Sequence, residues 1–339
     1  MVKLKKSVSV AGSGSLPKFW RIECPEVMDL PIVKTDVPMT SALCEETIQA
    51  LLEAYPSARS ETLTVTTFGR PVRTLTLGQG ARQVIFTAAH HANEWITATV
   101  LLKFMEELAR AMADGSKLYG IPGDLFRRNV TVHAVPMVNP DGVDLVTGAI
   151  PPGLEEYAWA RILAENYPGI PFPDGWKANL SGVDLNLQYP AGWRMAREIK
   201  FAQGFTKPGP RDYVGRSPLN QPESRALAEY TEQIDPALVL AYHTQGEVIY
   251  WQFMDYHVPG ARELGEEFAR LSGYALEDTP YESAFAGYKD WFIRFFGRPG
   301  YTIEVGLGEN PLPLRQFDKI YRDNLGILAT AALGLPGGA

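Results

Sequence analysis

No apolar run in the sequence approaches the roughly 20 residues that a bilayer-spanning helix needs, so a helical membrane protein is excluded. Cysteine is nearly absent: Cys24 and Cys44 are too few for a disulfide framework and too far apart for a CxxC metal or redox site. Two buried thiols are expected, with one Cys24–Cys44 bridge as the alternative. A basic surplus is missing as well. With 32 Lys and Arg against 39 Asp and Glu, the net charge of -7 argues against nucleic acid or an anionic membrane as partner. An apolar leader core is also lacking, because SVSVAGSGSLP follows Lys3, Lys5 and Lys6 in a polar, broken stretch. The chain is therefore expected to stay in the cytoplasm. Histidine is scarce at five residues, which makes the place of each one informative.

What remains is an ordinary globular composition, 45% hydrophobic and 21% charged over 339 residues, enough for one large α/β domain or two modest ones. The chain is organised around VIFTAAHHANEWITATVLLKFMEEL, Val84 to Leu108. It opens as an apolar strand, Val84 to Ala89, and passes through His90 and His91 into a segment whose Ile96, Val100, Phe104 and Leu108 mark one helical face. Glu94 follows His91 by three residues. That separation lets an imidazole at a strand end and a carboxylate on the first helical turn converge on one point, where a divalent metal accepts both. On its own the pair is equally a helix entrance with a first-turn acid facing the macrodipole.

Other segments answer it. Thr40 to Pro56 reads as a capped helix, and Thr62 to Leu77 as a hairpin around Gly69-Arg70-Pro71. Asn129 to Val138 is a second apolar strand ending in the turn signal Asn139-Pro140-Asp141-Gly142; His133 within it is expected to be a packed core histidine. Strand, helix, strand in this order implies a right-handed parallel unit, whose ligands bind at the carboxyl ends of strands. Thr147 to Trp176, with a short helix at Leu154 to Asn166, and Gly204 to Pro222 are Pro/Gly-rich excursions of the kind that shape clefts. A helix over Glu223 to Ile234 leads to ALVLAYH, a buried-strand pattern that ends in His243. His91, Glu94 and His243 form a three-ligand set that leaves one position for water, the arrangement of a catalytic zinc. In GYTIEVG, Glu304 is a lone acid between Ile303 and Val305, costly to bury unless it faces a polar site. Opposite a metal it could move a proton to and from the reacting groups.

Taken in order, HHANEW, NPDG, GVDLN, the strand-end His243 and TIEVG resemble the zinc carboxypeptidases of the carboxypeptidase A type. The resemblance implies an α/β fold: a single domain with a mixed, largely parallel eight-stranded sheet flanked by helices on both faces. It implies one Zn²⁺ per chain held by His91, Glu94 and His243, with Glu304 as general base and acid. Residues 1–31 are then an N-terminal arm packed on the main domain, 32–335 the peptidase domain and 336–339 a tail.

The departures from that family are informative. Its members follow GVD with an Asn-Arg pair that clamps the substrate's α-carboxylate, whereas here Asn186 is followed by Leu187, which offers no hydrogen bond. Lys177 stands after Trp176 where the family has an oxyanion-stabilising arginine, and Asn93 stands where it has another arginine. With WKAN, GVDLNLQYP, HTQGEVIYW and GENPLPLRQF, these changes are similar to the γ-D-glutamyl-diamino acid peptidases that cut bacterial cell-wall stem peptides. That resemblance implies a peptidoglycan-derived peptide as substrate, with Asn186 orienting its carboxylate. Lys289, just before an Asp-Trp pair, matches the pocket floor and would select an acidic group such as the second carboxylate of meso-diaminopimelate. Tyr281 best matches the tyrosine that closes over substrate, with Tyr288 as second choice. Other readings are a metallo-carboxypeptidase of different acidic peptides, an N-acyl amino acid deacylase, and a non-catalytic peptidoglycan-binding relative. The last should have lost a ligand or the glutamate, and all four residues are present.

Overall fold

A computed structural model describes residues 31–335. The expected N-terminal arm, the 336–339 tail and Cys24 lie outside the described residues. Seven strands build the main sheet: β1 Leu75–Gly78, β2 Arg82–Thr87, β3 Val130–Val135, β4 Leu238–His243, β5 Val248–Tyr250, β6 Ala275–Glu277 and β7 Gly300–Glu304. Their spatial order is β6-β5-β7-β4-β2-β3-β1. β2 runs parallel to β3 and β4, β4 to β7, and β5 to β6, while β1 and β5 are antiparallel to β3 and β7.

The sheet is thus mixed and largely parallel, as expected, but it has seven strands among the described residues where eight were anticipated. The expected hairpin is present and stands apart from the main sheet. Thr62–Val65 pairs with Pro71–Arg73 in a separate two-stranded sheet, and only Leu75–Gly78 joins the main one. Pro71 has no N–H to give a ladder, which suits a short edge pair and not a central strand.

The central strands are apolar without alternation because both faces are covered. Val84 and Phe86 pack with Leu238, Leu240 and Tyr242 in one layer, beneath the helices Ser41–Ala54, Ile96–Asp114, Ala261–Ser272 and Phe317–Leu333. Ile85 packs with Val239 and Ala241 in the other, beneath Pro222–Ile234 and Tyr288–Phe296. Each Val, Leu, Ile or Phe among them, fully buried, contributes about 1.5–3 kcal/mol.

The sequence motifs sit at helix ends. Thr40 caps the first helix by accepting from the Leu43 N–H at 3.1 Å. The NPDG segment, read as a turn, starts a helix over Pro140–Val146: the Asn139 side chain accepts from the Gly142 N–H at 3.1 Å, and Pro140 takes the first helical position, where a missing N–H costs nothing. No helix among the described residues is long and apolar enough to cross a membrane.

His133 is a core residue, as expected. Its Nδ1 lies 2.7 Å from the Tyr230 hydroxyl and its Nε2 2.8 Å from Gln83 Oε1. Burial, with a smaller push from Arg59, lowers its pKa from 6.5 to about 4. The folded value lies below the unfolded one, so the unfolded chain takes the proton first as pH falls. The stabilising contribution is whole above about pH 6.5 and is lost between there and pH 4. Urea denaturation at stepped pH should show the wild type losing on the order of 3 kcal/mol more than His133→Gln across that interval. Parallel pH dependences in the two proteins would show that His133 titrates normally.

Candidate active site

The site grows from three strand ends. After β2 the chain turns at Ala89, whose φ of 49° is unusual for a residue with a Cβ and costs about 1–2 kcal/mol. The turn is pinned on both sides. The Ala89 N–H donates to Thr97 Oγ1, and its carbonyl accepts from the Asn139 N–H, each at 3.0 Å. The chain then enters a single 3₁₀ turn, Ala92–Glu94, ahead of the helix Ile96–Asp114, which brings His91 and Glu94 side by side. His243 is the last residue of β4 and Glu304 the last of β7, and the two are register partners on adjacent parallel strands. Residues so paired point to the same face.

His91, Glu94 and His243 converge, with one ligand atom of each within 4.8 Å of the others. His91 Nδ1 lies 3.0 Å from Glu94 Oε1 and 3.2 Å from His243 Nδ1, which is itself 2.9 Å from Glu94 Oε2. A tetrahedral zinc with bonds of 2.0–2.1 Å separates its ligand atoms by about 3.3 Å, so these three groups already have the spacing that such an ion requires. The donor set, two imidazoles and a carboxylate, also suits it.

Supporting contacts hold the ligands. Asp184 accepts from His91 Nε2 at 3.1 Å through one oxygen and from the Asp212 N–H at 3.3 Å through the other, which fixes the ring and its tautomer. Glu94 receives Lys177 Nζ at 2.8 Å and the Thr244 N–H at 3.2 Å. His90 takes no part in the ligand set; it stacks on His243 with 5.6 Å between ring centroids and lies 3.3 Å from the Tyr189 hydroxyl.

The electrostatics follow from burial among charges. Burial alone would lower His91, but Glu94 and Asp184 reverse this and raise it to about 9. Burial opposes ionisation of Glu94, yet His91 and Lys177 hold its carboxyl well below the usual range. Glu304 goes the other way: burial and the Glu94 charge lift it to about 8, against Lys177 and His91. No hydrogen bond or ion pair ties the Glu304 carboxyl to another described residue. A divalent cation at the cluster would favour the ionised form of Glu304.

The cluster opens into a cavity of about 760 Å³ whose walls include Lys177, Asn186, Leu187, Lys289 and Glu304. Asn186 Oδ1 accepts from the Tyr288 N–H at 3.1 Å, which leaves its amide NH₂ for a ligand. Lys289 is more confined than the sequence implied: it donates to the Gln252 carbonyl at 2.6 Å and sits 2.6 Å from Asp290 Oδ1. Tyr281 does not line the cavity; it is 61% exposed, with its hydroxyl 3.7 Å from Met195 Sδ. Tyr288, the second choice, is fully buried with its hydroxyl 2.8 Å from Thr231 Oγ1, so it cannot close over a ligand. Reading the sequence missed Tyr250, Lys200, Arg211 and Asp212, all of which line the cavity. Tyr250 comes from a short strand and Arg211 and Asp212 from a Pro/Gly-rich excursion, which carry no periodic signal, while Lys200 is a buried cation on the helix Trp193–Ala202 that the sequence reading passed over.

A family model described as zinc carboxypeptidase, Peptidase_M14, matches residues 44–326. The chain belongs to the zinc carboxypeptidase family. It is accordingly a metallopeptidase, and His91, Glu94 and His243 offer the site such a metal needs. Among curated relatives, the gamma-D-glutamyl-L-diamino acid endopeptidase 1 of Lysinibacillus sphaericus is 41% identical over 280 residues, covering 83% of this chain and 68% of its own length. The uncharacterized protein YqgT of Bacillus subtilis (strain 168) is 37% identical over 287 residues, 84% of this chain and 74% of that one. Among solved structures, thrombin activatable fibrinolysis inhibitor matches with a TM-score of 0.66 at 15% identity, covering 90% of this chain and 78% of that one. Murein-tripeptide amidase MpaA from Escherichia coli O157 matches with a TM-score of 0.53 at 19% identity, covering 82% and 93%. At such identities the two structures establish the zinc carboxypeptidase fold.

Asp184 provides a test of the ligand geometry. Asp184→Asn exchanges an acceptor for an amide that can turn its NH₂ toward His91, and zinc affinity should fall about 10- to 100-fold in a chelator competition. Unchanged affinity would mean that Asp184 does not set the His91 ring.

Proposed function

We propose that this metallopeptidase hydrolyses the amide between γ-D-glutamate and a diamino acid, meso-diaminopimelate in the first instance, in peptides derived from bacterial cell walls. The observation that carries the reading is the 41% identity, over 83% of the chain, to a relative named for that bond. The cavity supports it. An ordinary carboxypeptidase needs an arginine to clamp the C-terminal carboxylate, and here Leu187 lines the wall at that place while Asn186 keeps a free amide. Lys289 adds a cation for an acidic leaving residue, moderated by its contact with Asp290.

In this reading one Zn²⁺ per chain is held by His91, Glu94 and His243. When bound it supplies a Lewis acid and brings the pKa of water down to about 7. Glu304, ending β7 without a partner to tie it, takes a proton from the attacking water and returns it to the departing amine. Lys177 spends one of its three donors on Glu94 at 2.8 Å and has two left to oppose the negative charge that develops on the former carbonyl oxygen. A lysine does this as a point charge, less selectively than a guanidinium fork. Asn186 orients a substrate carboxylate, and Tyr281 needs a large swing of its exposed loop to contribute at all.

The experiment is to incubate the zinc-loaded protein with L-Ala-γ-D-Glu-meso-diaminopimelate and follow release of diaminopimelate. Glu304→Gln should keep one zinc per chain by mass spectrometry and lose about 10²- to 10⁴-fold in kcat. Near-normal turnover would remove Glu304 from the proton-transfer role, and no release by the wild type would remove the substrate.

A further inference from the structure

Two cations of the cavity belong to different walls. Lys289 sits at the start of the helix Tyr288–Phe296, beside Asn186, whose side chain accepts from the Tyr288 backbone. Arg211 is on the Lys177 side: the carbonyl of its neighbour Pro210 accepts from the Lys177 and Ala178 N–H groups at 2.7 and 2.8 Å. The Arg211 side chain is 39% exposed and lines the cavity. Its Nε donates to Asp212 Oδ2 at 2.7 Å, and the other oxygen of Asp212 lies 2.7 Å from Lys200 Nζ. One carboxylate therefore serves two cations. Nη1 and Nη2 of Arg211 have no protein acceptor among the described residues. The bond at Nε fixes the plane of the fork and leaves its outer nitrogens to the cavity, where a planar guanidinium is matched to a carboxylate. Asp212 in turn donates its N–H to Asp184, the partner of His91, so the fork is referenced to the metal ligands.

These contacts put a carboxylate receptor beside Lys177, the group proposed above to oppose charge on the carbonyl oxygen. An α-linked residue has consumed its α-carboxyl group in the scissile amide. A γ-linked glutamyl residue keeps it, close to the reacting carbonyl and on the acyl side. We propose that Arg211 grips the free α-carboxylate of the γ-linked glutamyl residue and is the group that makes the enzyme select γ- over α-linked peptides. This rests on the reading of the substrate given above.

The test uses zinc-loaded full-length wild type, Arg211→Met and Arg211→Lys. Two substrates are compared, L-Ala-γ-D-Glu-meso-diaminopimelate and the same peptide with the glutamyl α-carboxylate converted to a primary amide. Loss of a charge-assisted hydrogen-bonded contact should cost Arg211→Met about 10- to 100-fold in kcat/KM on the acid, chiefly through KM, and under about threefold on the amide. Arg211→Lys should recover part of the loss on the acid. The amide serves as internal control, since a misfolded variant loses both. A wild type indifferent to the amide, or an Arg211→Met protein that still prefers the acid, overturns the assignment. If the wild type cleaves neither peptide, the substrate reading fails, and Arg211 is judged by calorimetry with L-Ala-D-Glu and its α-amide. Tighter binding of the acid that disappears in Arg211→Met then sustains the carboxylate receptor, and equal binding of the two overturns it.

Discussion

The site depends on a buried carboxylate. Glu94 is 1% exposed, and a charge so placed persists only where surrounding groups replace the water it has lost. Lys177, the Thr244 N–H, His91 and His243 all converge on its two oxygens. These four groups come from three separate stretches of chain, around His91, around Lys177 and at His243–Thr244. Their meeting is a tertiary requirement, and the sheet exists in the form that satisfies it. Glu304 is raised first by its own burial and then by the charge of Glu94 beside it.

The parallel pairing of β2, β4 and β7 is what makes the convergence possible. Because β4 is parallel to both neighbours, their carboxyl ends come out on one edge. The register partnership of Glu304 and His243 then puts base and ligand on one face without any help from loops. Antiparallel pairing of β7 with β4 would send Glu304 to the opposite edge. Alternation along β4 decides the rest: Leu238, Leu240 and Tyr242 fill one layer, Val239 and Ala241 the other, and His243 follows the second set.

Much of this was legible in the sequence for a physical reason. Ligands held on secondary structure inherit its periodicity: His91, His243 and Glu304 stand at or just past the ends of apolar runs, and Glu94 follows His91 at the entrance to an apolar helix face. The core strands announced themselves by unbroken hydrophobicity, and His133 by its place within one. The strand count did not: eight came with the resemblance and was tied to no segment, whereas the Thr62–Val65 and Pro71–Arg73 hairpin was read from its turn and is present. NPDG was read as a turn because Asn and Pro serve a turn and a helix entrance equally well. Tyr281 and Lys289 were placed by resemblance, and their surroundings could not be inferred that way. An exposed 3₁₀ turn holds the first, and a contact with Asp290 engages the second. Tyr250 on the short strand β5, and Arg211 and Asp212 in coil, had no periodic signature to find.

That division has a functional logic. Groups that do chemistry must be held to within a fraction of an ångström; His243 and Glu304 end strands, and His91 and Glu94 sit in the short pinned turn that follows β2. Groups that select a substrate tolerate looser placement and can change with the loops that carry them. Leu187 lies in the single 3₁₀ turn Leu185–Leu187 and Arg211 in the coil beyond Pro210, so neither is part of the sheet. A cation can be lost at the first and provided at the second while β2, β4 and β7 keep their register. The effect is to shift carboxylate recognition along the cavity, away from the chain terminus that a carboxypeptidase reads and toward the acyl side of the bond.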